Sequence, residues 1–146
     1  MIEEAYVDRI KPLKVTQDIK VKGYDIDVMG IVSNIVYLKW FEDLRQELLE
    51  RYYPFRAMFT NNCSPILAKT EVEYLKPITI YDDPHGILWV SDLGKVRWTV
   101  KIEIICQKYV HCRGMQSGYF YDVVKKRLVR MPQELLKKYK EELNMK

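Results

Sequence analysis

The sequence predicts an α+β domain, an antiparallel sheet of about five strands curled around one long central helix. Three observations carry this. A run from about Asn34 to Arg51 repeats its apolar residues at helical spacing, one period-two run precedes it, and four more follow, joined by short connections. With 146 residues, 48% of them hydrophobic and 30% charged, the chain is long enough to bury a core as one domain spanning 1–146.

The first strand is expected over Lys14–Lys22, where Val15, Gln17, Ile19 and Val21 alternate with Lys14, Thr16, Asp18, Lys20 and Lys22, and Gly23 ends it. In the helix, Tyr37, Trp40, Phe41, Leu44 and Leu48 form one face, with Lys39, Glu42, Asp43, Glu47 and Glu50 opposite. Ile35, Val36, Leu38 and Leu49 widen the apolar stripe, which predicts a helix enclosed on more than one side. Ser33 or Asn34 suits the N-cap. The stretch "YYPFRAMFTNNCSP" reads as turn-rich. Period two then returns at Ala68–Tyr74, stops at Lys76-Pro77, and resumes after the turn "YDDPHG" at Ile87–Leu93, at Val96–Cys106 and at Met115–Val123. Pro132 opens a short basic helix, "PQELLKKYKEEL". An exposed sheet edge or face of this kind calls for a second copy, so a homodimer or homotetramer is expected.

Composition narrows the function classes. A net charge of +4, spread along the chain, is too weak to argue for nucleic acid and suits an anionic small molecule equally well. Cys63, Cys106 and Cys112 are odd in number and lack ligand spacing, and two histidines, His85 and His111, do not build a zinc site. The N-terminus "MIEEAYVDRIKPLK" has no apolar core of signal-peptide length, and no stretch approaches ~20 apolar residues, so a reducing, cytoplasmic setting without membrane insertion is expected.

The stretch "YDIDVMGIVSNIVYLKWFEDLR" sets two acids, a glycine and a polar pair at the mouth of the helix. Its Asp-x-x-Gly-x-Val-x-Asn-x-x-Tyr-x-x-Trp spacing resembles the hotdog-fold thioesterases, in the branch of 4-hydroxybenzoyl-CoA and related acyl-CoA thioesterases. Downstream, "EVEYLKPITIYDDP" is similar to that family's second strand and turn, and "RMPQEL" to its closing segment. The resemblance runs from about Val15 to Leu136 and implies cleavage of an acyl thioester, with coenzyme A or acyl carrier protein as the thiol carrier. It implies no metal or redox cofactor, since coenzyme A enters only as part of the substrate.

Thioester hydrolysis needs a group that activates water or attacks, and donors for the oxyanion that forms. A helix N-terminus supplies free amides with partial positive charge, and a carboxylate ahead of it can serve as general base or nucleophile. Asp27 matches the family's catalytic position, although by itself it also reads as a turn cap. Asp25 reads as a solvated or turn-bonding acid. Gly30 would let the backbone approach the substrate or take positive φ, and the amide near Asn34 matches the oxyanion donor. Tyr24 opens the motif as a substrate-binding aromatic. Ser64, before Pro65, aligns with a residue facing the pantetheine arm across the dimer interface, or simply starts a strand. Lys95 and Arg97 align with basic side chains near the coenzyme A phosphates, or are solvated hairpin charges. Relatives often carry His after the glycine; here Ile31 stands there, which points to an Asp-only mechanism. A Cys63–His111 pair has no supporting motif, and buried thiol is the expectation for all three cysteines. The alternative is a regulatory module that binds acyl thioesters without cleaving them.

Overall fold

The computed structural model describes Asp8 and residues 10–144. In chain order the elements are β1 (Val15–Asp18), a 3-10 turn (Gly23–Asp25), α1 (Asn34–Tyr52), α2 (Phe55–Asn61), β2 (Cys63–Tyr74), β3 (His85–Leu93), β4 (Arg97–Cys106), β5 (Tyr109–Asp122), β6 (Arg127–Val129) and α3 (Gln133–Asn144). The sheet is ordered β1-β3-β4-β5-β2, with β6 added to β5, and every pairing is antiparallel. This is the hotdog arrangement: the sheet curls around α1.

The curl has a local cause. Register shifts fall between Leu67 and Lys69 on β2, between Val90 and Asp92 on β3, and between Ile104 and Ile105 on β4. Such irregularities bend a strand and raise its twist. Inside the curl, Leu88, Val90, Val100, Ile102, Ile104 and Phe120 join Val36, Tyr37, Trp40, Phe41, Leu44 and Leu48 of α1 in one buried core. Gly114 permits close contact at its centre, since a Cβ there would sit 2.5 Å from the Phe41 ring. Trp89 points to the other side of the sheet yet is fully buried. The N-terminal segment covers it: Val90 N–H donates to Pro12 O (2.9 Å), Trp89 Nε1 donates to Asp8 (2.8 Å), and Lys11 Nζ stands 4.8 Å from the ring centroid.

The structure departs from sequence expectation in six places. β1 is only four residues long, because from Ile19 the chain leaves the ladder toward the 3-10 turn. The turn-rich stretch contains α2, closed by Asn62 in the left-handed conformation, and β2 begins at Cys63, ahead of Pro65. Pro65 is tolerated there because β2 is an edge strand. A sixth strand, β6, extends the sheet, and β5 starts at Tyr109 rather than Met115. Finally, two of the four residues expected to widen the enclosed stripe of α1 are bare in the single chain: Ile35 is 65% and Leu38 41% exposed.

Candidate active site

The approach to α1 is built by backbone pairing. Asp25 is 7% exposed rather than solvated; its Oδ2 accepts Lys22 N–H (2.9 Å), and its carbonyl accepts Ser33 N–H (2.9 Å), tying the 3-10 turn to the start of the helix. Ile26 and Val32 bridge as antiparallel partners, and Asp27 N–H donates to Ile31 O (2.8 Å). Between them Gly30 N–H donates to Asp27 O (3.0 Å), closing a tight turn in which Gly30 has φ +78°. That left-handed conformation is what only glycine adopts without strain. Asp27 fastens the turn, its Oδ1 accepting Met29 N–H (2.8 Å) and Ile31 N–H (3.3 Å). These bonds fix the direction of the carboxylate. Among the described residues they engage Oδ1 alone.

The returning arm is stitched down by Val32 N–H to Ile78 O (2.8 Å) and by the Ile31–Thr79 bridge, then runs into Ser33, the N-cap. The Ser33 hydroxyl makes no cap bond, so Asn34 opens α1 with first-turn amides that no cap side chain occupies. Tyr74, on the free edge of the sheet, donates its hydroxyl to Asn34 O (3.1 Å), a contact the alternation of β2 did not single out. Asp27, Asn34, Val28 and Met29 are all exposed.

Tyr24 is exposed, with Lys22 Nζ 5.9 Å from its ring centroid, on the rim of a groove of about 270 Å³ beside Ile19, Asp25 and Trp40. Tyr24, Asp27, Gly30 and Asn34 therefore gather at the N-terminus of α1. Ser64, Lys95 and Arg97 do not join them within one chain. Ser64 pairs with Tyr121 and lines a hollow of about 280 Å³ with Arg45, Leu49, Phe59, Leu67 and Trp98, beside the later turns of α1. Lys95 lies in the β3–β4 connection and Arg97 opens β4 at the same end; Lys95 O accepts Met131 N–H (2.7 Å), and Arg97 Nη2 donates to Ser117 Oγ (2.8 Å). The helix between the two groups has 19 residues, about 28 Å at 1.5 Å per residue.

One polar group escaped the sequence reading. Arg45 Nη1 donates to Gln116 Oε1 (2.6 Å), and Gln116 Nε2 donates to the Thr70 hydroxyl (3.1 Å), a chain of bonds reaching from α1 into the sheet. Its signal was present: Arg45 falls between Phe41 and Leu48 on the apolar stripe, where a cation needs a buried partner.

The three thiols are buried and unpaired with one another. Burial pushes Cys106 and Cys112 up to about 12 and raises Cys63. Cys63 opens β2 opposite Asp122, whereas His111 bonds Pro77 O (3.1 Å) near the other end of that strand, so the two do not meet. Among the described residues no group of three or more His, Cys, Asp and Glu side chains is placed to hold a metal ion, and no helix is long and apolar enough to cross a membrane.

A family model described as the thioesterase-like superfamily matches residues 21–139, from just before the 3-10 turn into α3. The long-chain acyl-CoA thioesterase FadM of Escherichia coli (strain K12) is 33% identical over 64 residues, 44% of this chain and 48% of FadM. A putative esterase of Aquifex aeolicus (strain VF5) is 30% identical over 82 residues, 55% of this chain and 63% of that protein. The chain thus spans from about half to under two thirds of the curated relatives it matches. Among solved structures, a predicted thioesterase from Bacillus stearothermophilus superposes with a TM-score of 0.78 at 19% identity, covering 88% of this chain and 96% of that one, a likeness of fold.

Proposed function

This chain belongs to the thioesterase-like superfamily, and on that premise we propose that it hydrolyses an acyl thioester, adding water to give a carboxylic acid and a free thiol. The observation that carries the reading is the turn at Asp27. It holds a carboxylate by two amide bonds three residues before Gly30 and directly ahead of helix amides that no cap side chain occupies. In the proposed reaction the thioester carbonyl sits between them. The backbone N–H at Asn34 donates to the developing oxyanion, a contribution typically of ~10²–10³ in rate. Asp27 takes a proton from water as the water attacks, or itself attacks and forms an anhydride that water then opens. Either route expels the thiolate. No metal or redox group enters.

We assign coenzyme A, or acyl carrier protein, as the thiol carrier, and a homodimer as the smallest active unit. The free edge supports the dimer. β2 is an outer strand with Ile66, Leu67 and Tyr74 exposed, and the bare Ile35 and Leu38 lie on α1, the helix whose first carbonyl Tyr74 bonds. If two copies pair antiparallel along β2, the Ser64 end of one strand meets the Tyr74 end of the other. Ser64, Lys95 and Arg97 of one copy then approach Asp27 of its partner, and the two groups that stand apart in one chain make one site. A binding module that does not cleave its thioester is the rival.

Free-thiol release from a panel of acyl-CoA esters separates the two. Asp27→Asn and Asp27→Ala should each lower kcat by about 10²–10⁴; Asp27→Asn, which keeps an acceptor oxygen for the turn, should hold the parent's unfolding midpoint, while Asp27→Ala should lose about 1 kcal/mol. Tight acyl-CoA binding without thiol release in the parent protein would establish the module, and full activity in both variants would remove Asp27 from the mechanism.

A further inference from the structure

The β5–β6 hairpin forms one end of the molecule with a composition the thioesterase reading does not use, beside the β3–β4 turn whose Lys95 and Arg97 that reading does use. Residues 123–130 read "VVKKRLVR", four cations without an acid. Lys125, Lys126, Arg127 and Arg130 are exposed, and among them Val123, Val124 and Leu128 are 57%, 66% and 52% exposed. The hairpin is held rather than loose: Asp122 Oδ1 accepts Val124 N–H (2.9 Å) and Lys125 N–H (2.8 Å), and β6 pairs with β5 from Phe120 to Asp122. The bond from Met131 N–H to Lys95 O (2.7 Å) joins it to the neighbouring turn, which adds exposed Lys95, Val96 and Arg97.

We propose that this end docks the protein peripherally on an anionic bilayer surface, its lysines and arginines against headgroup phosphates and Val123, Val124 and Leu128 at the acyl boundary. Two features select that occupant. Residues 123–130 carry four cations and no acid, and Asp122 at the hairpin base, close to Lys125 and Arg127, offsets only part of that charge, so an anionic surface attracts the hairpin. Val123 and Val124 sit in the hairpin turn and Leu128 beside it on β6, and none of the three lines a cavity described above, whereas a bound nucleotide needs a concave wall. A projecting apolar tip ringed by cations matches a membrane interface, where apolar groups sink to the headgroup boundary and charges stay above it.

The test is co-sedimentation of the full chain with vesicles of phosphatidylcholine alone and of phosphatidylcholine mixed equally with phosphatidylglycerol, at low and high salt. The expected result is binding to the anionic vesicles only, weakened by salt. Lys125→Gln/Lys126→Gln should reduce the partition coefficient roughly thirty-fold, taking ~1 kcal/mol per lysine at such a surface. Val123→Ser/Val124→Ser should reduce it at both salt concentrations. Both double variants should keep the parent's unfolding midpoint and its thiol release from a short, soluble acyl-CoA, so a failed thioesterase reading is told apart from a failed membrane one. Equal binding to both vesicle types, binding indifferent to these substitutions, or capture only by an acidic acyl carrier protein would each overturn the proposal.

Discussion

In the proposed reaction Asp27 combines two roles: the bonds from Met29 and Ile31 N–H that cap its turn also hold its carboxylate in place ahead of α1. Cys106 and Cys112 show the opposite case, side chains whose chemistry the fold suppresses. Burial holds both thiols near 12, against about 8.5 in an unfolded chain. The unfolded chain therefore loses these protons first as pH rises, and binds fewer protons than the native state. Stability is full below the unfolded value and falls as pH climbs from about 9 toward 12. Urea midpoints at pH 8 and pH 10 should show the decline, and a Cys106→Ala/Cys112→Ala variant should show a shallower one. Equal slopes would mean that the thiols titrate alike in both states.

At the level of elements, β5 passes β2 with no room for a side chain at Gly118. A Cβ added at Gly118 would stand 1.8 Å from Ile66 O and 2.7 Å from the Trp98 ring. The first of these is backbone and cannot swing aside. Gly118→Ala should cost about 3 kcal/mol or more, read as a fall in the urea midpoint; an unchanged midpoint would show that β2 is free to shift. The strands and α1 were legible in the sequence because each buries one face, and burial of one face leaves a period. β6 has three residues and α2 seven, too few for a period to emerge, and the prolines and asparagines around α2 announced turns more strongly than its own residues announced a helix. Ile35 and Leu38 were legible as apolar but not as bare, because periodicity records hydrophobicity and not what supplies the cover. The candidate site divides the same way. The Asp27 turn is local and was readable, while the distance from Asp27 to Ser64, Lys95 and Arg97 depends on how the sheet wraps the helix.

For the whole molecule, the proposed reaction makes assembly part of the chemistry, because the two groups stand apart along α1. The active species should sediment as a dimer or a larger even assembly. Ile66→Lys/Leu67→Lys, on the free edge of β2, should yield monomers that keep the fold by circular dichroism and lose thiol release with Asp27 intact. An active monomer would place the whole site in one chain.

The displaced register at Ala68 bears on that same edge. A straight outer strand of twelve residues is a template on which any extended peptide could lie at many offsets. The extra residue divides β2 into two short runs, Cys63–Leu67 and Lys69–Tyr74, with a kink between them. A visiting strand that slides by one or two positions loses its ladder at the kink, so that only a neighbour with a complementary kink aligns along the full length. What bends the sheet around its helix thereby also protects the protein against promiscuous aggregation.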